Sequence, residues 1–215
     1  LVLAAGITTW QRNEVWSNVE SLWGEVLKKS PGKSRPYNNL GDFYFKTRQF
    51  AKAMPLFEKA VQIEPNSAAA CNNLGCLLWY NGRLDESEKY VRRAIASKNR
   101  FYQAYNILGS IYFNRGNLDS AEIFFRESLK HKPGFVDARA NLGAVYMQHR
   151  ELDRAAAEYT KVLAEAPNHP QANYNLALIY FDQQKYALSV QYADRAKSLG
   201  LALAPSFAAR LEQYR

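Results

Sequence analysis

Apolar and polar positions alternate along most of this chain with the period of an α-helix, in two stripes that then recur. Tyr37, Leu40, Gly41 and Tyr44 stand 3, 4 and 7 residues apart, which places them on one helical face. After a polar break, Phe50, Ala53, Phe57 and Ala60 keep the same spacing. The pattern predicts two short helices joined by a tight link. It returns every 34 residues: "YNNLGDFYF" at Tyr37, "CNNLGCLLW" at Cys71, "YNILGSIYF" at Tyr105, "RANLGAVYM" at Arg139 and "NYNLALIYF" at Asn173.

Several columns run through all five units. Leu40, Leu74, Leu108, Leu142 and Leu176 are identical, and Gly41, Gly75, Gly109 and Gly143 are followed by Ala177. Tyr44, Leu78, Tyr112, Tyr146 and Tyr180 are large; Ala53, Ser87, Ala121, Ala155 and Ser189 are small. Small residues allow two helices to approach closely while large ones fill the space beside them. Gly82 and Gly116 suit a left-handed turn between helices, and Pro65, Pro133 and Pro167 cannot continue the second helix of their units. A single pair cannot bury its apolar face alone, so the units are expected to stack. The expected fold class is all-α, a solenoid of antiparallel helix pairs.

These columns resemble the tetratricopeptide repeat. The resemblance covers Ser34 to about Leu203 as units 34–67, 68–101, 102–135, 136–169 and 170–203. Departures from the pattern are Asn99 and Leu201 at the closing proline, Ala193 at an aromatic position, and Arg48, Arg150 and Gln184 where glycine is common. The last unit carries several of them and is expected to be the loosest. The tail, 204–215, is expected to cap the array, with Pro205 at a helix start and Phe207, Leu211 and Tyr214 on one face.

One period upstream, residues 1–33 read as a degenerate repeat. Trp10, Trp16 and Trp23 fall on aromatic columns, with a turn expected near Arg12-Asn13-Glu14. Leu1–Ile7 is apolar but short of the roughly 20 residues that span a bilayer. Thr9, Arg12, Asn13, Trp16, Leu22, Trp23, Ser30 and Pro31 resemble the junction of a family of multi-pass membrane proteins similar to O-mannosyltransferases. In those, a tetratricopeptide array outside the cytoplasm follows the last membrane helix. The resemblance implies a membrane-associated protein with an extracytoplasmic (periplasmic or lumenal) array. It also implies that catalytic residues lie in a membrane half, so none carries over to this chain. The alternative is a soluble, cytoplasmic array.

Composition narrows the chemistry. With 47% hydrophobic and 22% charged residues among 215, the chain is globular rather than disordered. Its only cysteines, Cys71 and Cys76, point about 140° apart on a helix, since each residue turns it by roughly 100°. They are expected neither to bridge nor to share a metal. "PGKS" (Pro31–Ser34) lacks the earlier glycine of a phosphate loop, because Leu27 stands there. His131, His149 and His169 are scattered, and no nucleophile–base arrangement is readable. The expectation is a non-enzyme with no cofactor.

The net charge of +8 collects in the later turns of second helices: Lys28, Lys29, Lys59, Arg92, Arg93, Arg126, Lys130, Lys161, Arg195 and Lys197. Cations there complement the helix dipole. The sharper expectation is a basic edge that faces anionic lipid or a phosphate-bearing donor, each cation near such a surface contributing about 1 kcal/mol.

The first helices of this repeat line its binding groove. The expected groove residues are Asn38, Asp42 and Phe45; Asn72, Cys76, Trp79 and Tyr80; Asn106, Ser110 and Phe113; Met147; and Tyr174 and Phe181. Asn38, Asn72 and Asn106 form one amide column, and Asn39, Asn73, Asn141 and Asn175 a second. An Asn side chain offers two donors and an acceptor, so it can hold a peptide backbone without reading sequence. The second column could equally bond helix to helix, and the aromatic edge could equally be core. Similar Asn ladders line long tetratricopeptide superhelices of glycosyltransferases. The groove is nearly neutral, which argues against nucleic acid there and leaves no carboxylate clamp. The leading expectation is therefore a module for an extended peptide or protein partner. The others are a soluble assembly scaffold and, less favoured, nucleic-acid binding through the basic edge.

Overall fold

A computed structural model of the chain describes residues 19–97 and 101–215. Among them are twelve α-helices and no strand: α1 (Val19–Lys29), α2 (Ser34–Lys46), α3 (Phe50–Ile63), α4 (Ala68–Tyr80), α5 (Leu84–Ser97), α6 (Tyr102–Asn114), α7 (Leu118–His131), α8 (Val136–Gln148), α9 (Leu152–Glu165), α10 (Pro170–Asp182), α11 (Tyr186–Ser198) and α12 (Pro205–Glu212). From α2 to α11 they stack in antiparallel pairs, as the two-stripe pattern requires. The chain forms two compact units, Leu1–Ile107 and Leu108–Arg215, whose boundary falls within α6. Trp10, Trp16 and the turn expected at Arg12–Glu14 lie outside the described residues.

The links between paired helices turn the same way, whatever residue stands at the turn. Gly82 and Gly116 have φ of 75° and 74°, while Arg48, Arg150 and Gln184 adopt 59°, 63° and 60°. The three departures therefore keep the left-handed backbone and carry its Cβ strain. In each link a backbone N–H reaches back into the first helix, as from Gln49 to the Tyr44 carbonyl at 2.8 Å and from Arg83 to the Leu78 carbonyl at 2.9 Å.

The glycine column sets how closely paired helices approach. A Cβ on Gly41 would lie 2.7 Å from the Phe57 ring, on Gly75 2.6 Å from Val91, on Gly109 2.7 Å from Phe125, and on Gly143 2.9 Å from Tyr159. In the last pair both sides change at once. Ala177 replaces glycine and Ala193 replaces the aromatic, and both are fully buried in one core. A methyl is added to one helix and a ring is missing from the other, so two separate departures become one compensated packing. Where the small column is serine, its hydroxyl donates to the carbonyl of the glycine column: Ser87 to Gly75 at 2.6 Å and Ser189 to Ala177 at 2.7 Å.

A tyrosine also ties a first helix to the second helix before it. Tyr146 donates to Glu122 of α7 at 3.0 Å, and Tyr44 donates to Glu20 of α1; both partners are 24 residues upstream. So α1 stands to α2 as α7 stands to α8, the place a preceding repeat would give it. Arg154 and Arg126 complete the Tyr146 cluster, donating to its hydroxyl at 2.8 and 2.9 Å. The Arg154 guanidinium also lies 3.9 Å from the ring centre.

In the C-terminal unit α12 docks on α10. Phe207 and Leu211 are buried, and Phe207 meets Tyr174 and Phe181 edge-on at 5.9 and 5.6 Å.

Candidate peptide-binding groove

In the N-terminal unit, α2 and α4 bring both amide columns together. Asn73 donates to Asn38 at 3.0 Å, joining consecutive first helices across the two columns. Asn72 donates to Asn73 at 3.4 Å. Asn72 is only 7% exposed, and its Oδ1 is buried without a hydrogen-bond partner. Two turns further along the same face of α4, Trp79 Nε1 is also buried and unpartnered. An unsatisfied buried donor or acceptor costs about 1–3 kcal/mol. A residue spacing of i, i+7 sets the two about 10 Å apart along the helix axis. Asn106 and Asn39 are half-buried.

The surrounding side chains make this floor nearly neutral. Asp42 accepts from Lys46 at 2.7 Å, a pair that cancels its charge locally. Burial, then the Asp42 charge, pushes the Cys76 thiol up to about 11, so it is a neutral side chain beside the amides. Burial likewise raises Cys71, whose thiol lies 3.4 Å from the Pro65 carbonyl. At the helix end, Phe45 packs on Phe50 at 5.5 Å and Phe50 on Tyr80 at 4.5 Å. Tyr80 remains 53% exposed, the most open of these rings.

The C-terminal unit uses the same columns differently. Asn175 donates to the Tyr159 hydroxyl at 2.7 Å and accepts from Gln171, so it binds helices to each other. Burial raises the Tyr159 pKa above that of an ordinary phenol, against the pull of the Asn175 bond. Asn141 is half-buried, and Ser110 is 9% exposed. Phe113 and Met147 pack against the central core cluster. Tyr174 and Phe181 lie beneath α12, with Phe181 only 8% exposed. All four side chains are thus engaged in packing within this unit. The tail's occupation of Tyr174 and Phe181 was readable in outline from Phe207, Leu211 and Tyr214 at helical spacing.

The basic edge is largely neutralised from within. Arg92 pairs with Glu88 at 2.7 Å, Arg126 with Glu122 at 2.8 Å, Lys130 with Glu127 at 3.1 Å and Lys161 with Glu158 at 2.7 Å. Arg93 donates to the Pro65 carbonyl and Arg195 to Asn168, each at 2.6 Å. Most of these cations therefore staple a helix or a link. Among the described residues no group of three or more His, Cys, Asp or Glu is placed to hold a metal ion. Nor is any described helix long and apolar enough to cross a membrane.

Sequence profiles of the tetratricopeptide repeat match residues 34–67, 72–134 and 140–206, most of the chain. The chain belongs to the tetratricopeptide repeat family. No curated protein matches it by sequence. Solved structures share its fold. PilF of Pseudomonas aeruginosa superposes with a TM-score of 0.77 at 23% identity, over 84% of this chain and 83% of that one. TTC0263, a thermophilic tetratricopeptide protein of Thermus thermophilus, gives 0.67 at 18% identity, over 84% and 97%. YrrB, described as a tetratricopeptide repeat protein with an unusual peptide-binding site, gives 0.62 at 16% identity, over 89% and 97%. The tetratricopeptide pattern explains the division of labour seen here. Its glycine and small columns close each pair.

Proposed function

We propose that this tetratricopeptide protein is a non-catalytic module that holds an extended segment of a partner protein on the first helices of its N-terminal unit. The observation that carries the reading is the orphaned pair on α4. Asn72 Oδ1 lacks a donor and Trp79 Nε1 lacks an acceptor. Both atoms are closed off from solvent, so a guest reaches them only as the Asn72 amide and the Trp79 ring turn outward; a peptide backbone then supplies both partners, and three residues of extended chain span about 10 Å. The Asn38–Asn73 bond holds the neighbouring amides in place, which lowers the entropy lost on binding. YrrB, whose description names a peptide-binding site, is in keeping with this use of the fold.

The test is selection of peptides from a random library on the whole chain, followed by titration of the best against variants. Asn72→Ala and Trp79→Phe each remove one hydrogen bond and are expected to weaken binding by about 1–2 kcal/mol. Unchanged affinity in both would overturn the site.

The junction motif supports a narrower setting. Thr9, Arg12, Asn13, Trp16, Leu22, Trp23, Ser30 and Pro31 suggest attachment to a multi-pass membrane protein resembling O-mannosyltransferases. The module would then sit outside the cytoplasm and present protein acceptors. Its support is the sequence alone, and half of those residues precede the described ones. A full-length reading frame with about ten hydrophobic spans upstream of Leu1 supports it. A start codon just before Leu1 leaves a soluble scaffold.

A further inference from the structure

α12 is the shortest of the described helices. It has eight residues and buries two of them, Phe207 and Leu211, whereas α10 buries six across thirteen. Isolated helices below about 12–15 residues are marginal in water, so α12 is helical because it is docked. It follows a break at Gly200, whose φ is 87°, and residues 201–204 have no regular structure. Ala204 gives it no side-chain cap. Such a segment opens locally at the low end of the stability range.

The surface beneath it is aromatic. Phe207 meets Tyr174 and Phe181 edge-on, Tyr214 stacks on Tyr186 at 3.6 Å and meets Phe181 at 5.8 Å, and the Arg210 guanidinium lies 4.4 Å from the Phe181 ring centre. Tyr174 stands in the column of Asn38 and Asn72, and Phe181 in that of Phe45 and Trp79. In the last unit the first of these columns therefore carries a ring where the first three units carry an amide, and the second keeps its ring. Rings suit the apolar stripe of a helix rather than a peptide backbone. α12 occupies them as a helical guest would.

We propose that the Tyr174–Phe181–Tyr186 face is a second docking site. α12 holds it in place of an amphipathic helix from a partner protein, one with an aromatic residue, Leu and Tyr at the spacing of Phe207, Leu211 and Tyr214. The cis helix sets a threshold: a partner must outcompete a tethered segment whose effective concentration is of the order of millimolar. The residues involved are separate from the amide site, so either site can fail without the other.

The probe is a fluorescent peptide of residues 203–215, titrated against the whole chain and against the whole chain carrying Phe207→Ala. Weakening the cis helix frees the face, so binding to Phe207→Ala is expected to be at least about tenfold tighter than to wild type. An unlabelled peptide with Ala at positions 207 and 211 should not compete. The chain with Arg210→Ala and Tyr214→Ala, changed only at exposed positions, is a second arm and should bind about three- to tenfold tighter. It carries the test if Phe207→Ala loses helix content. No binding to either variant, or equal affinity for all three proteins, overturns the proposal. A peptide-independent dimer formed by exchange of α12 overturns it in favour of a second copy as the occupant.

Discussion

Replacing a mid-helix glycine by alanine ordinarily stabilises a helix by about 1 kcal/mol. At Gly109 the sign should invert. An added Cβ would sit 2.7 Å from two ring carbons of Phe125 and 3.1 Å from a third. Ordinary carbon contacts are about 3.5–4.0 Å, so the overlap is close to an ångström. Phe125 is 1% exposed, which leaves its ring nowhere to go. Overpacking of this kind costs about 1–3 kcal/mol, and subtracting the helix gain leaves Gly109→Ala about 0–2 kcal/mol less stable. For a chain of this size that is a drop of up to roughly 8 °C in Tm. Gly24 supplies the control: it lies within α1, and an added Cβ meets nothing within 4 Å. Gly24→Ala should raise Tm by roughly 1–4 °C. The cycle is completed by Phe125→Ala, expected to cost about 3–5 kcal/mol. Adding Gly109→Ala to it recreates the Ala177–Ala193 pairing and should cost nothing more. The assay is thermal unfolding followed by circular dichroism. A rise in Tm for Gly109→Ala, or a double variant weaker than Phe125→Ala alone, would refute the close-approach reasoning.

Arg48→Gly, Arg150→Gly and Gln184→Gly should each stabilise by about 0.5–1 kcal/mol, because all three positions hold a left-handed backbone; denaturant midpoints check this. Tyr146→Phe removes the hydroxyl shared by Glu122, Arg126 and Arg154 and should cost about 1–3 kcal/mol in the same measurement. The hydrogen bond to Glu20, then burial, pushes Tyr44 up to about 12. Its folded pKa lies above the unfolded one, so its stabilisation is complete below about pH 10 and is lost as pH rises through about 12. The stability difference between wild type and Tyr44→Phe should therefore hold to about pH 9 and shrink above about 10. Cys76, pushed up to about 11 by burial and Asp42, should react with thiol reagents near neutral pH only as the chain unfolds.

The repeat was legible because each structural demand falls on a fixed column. Close approach needs glycine at 41, 75, 109 and 143, and Pro65, Pro133 and Pro167 mark three of the helix ends. Read singly, columns mislead. Ala177 and Ala193 taken one at a time are two defects, and only reading both sides of one contact shows the exchange of volume. Arg48, Arg150 and Gln184 hide a shared turn geometry, since residue type reports what a backbone prefers and not what neighbours impose. In the candidate site, the periodicity placed Asn38, Asn72 and Asn73 on neighbouring helix faces. It did not show that Asn73 would bond Asn38 while Asn72 Oδ1 and Trp79 Nε1 lacked partners, because that depends on side-chain rotamers. Nor did it show the Tyr44–Glu20 and Tyr146–Glu122 ties, which cross between repeats.

The most direct test is the indole N–H resonance of Trp79 in an NMR titration of the whole chain with a selected peptide, assigned by its disappearance in Trp79→Phe. A guest carbonyl accepting from Nε1 should move that resonance downfield in proportion to occupancy. A peptide that binds while the Trp79 signal stays fixed would contradict a guest held by α4.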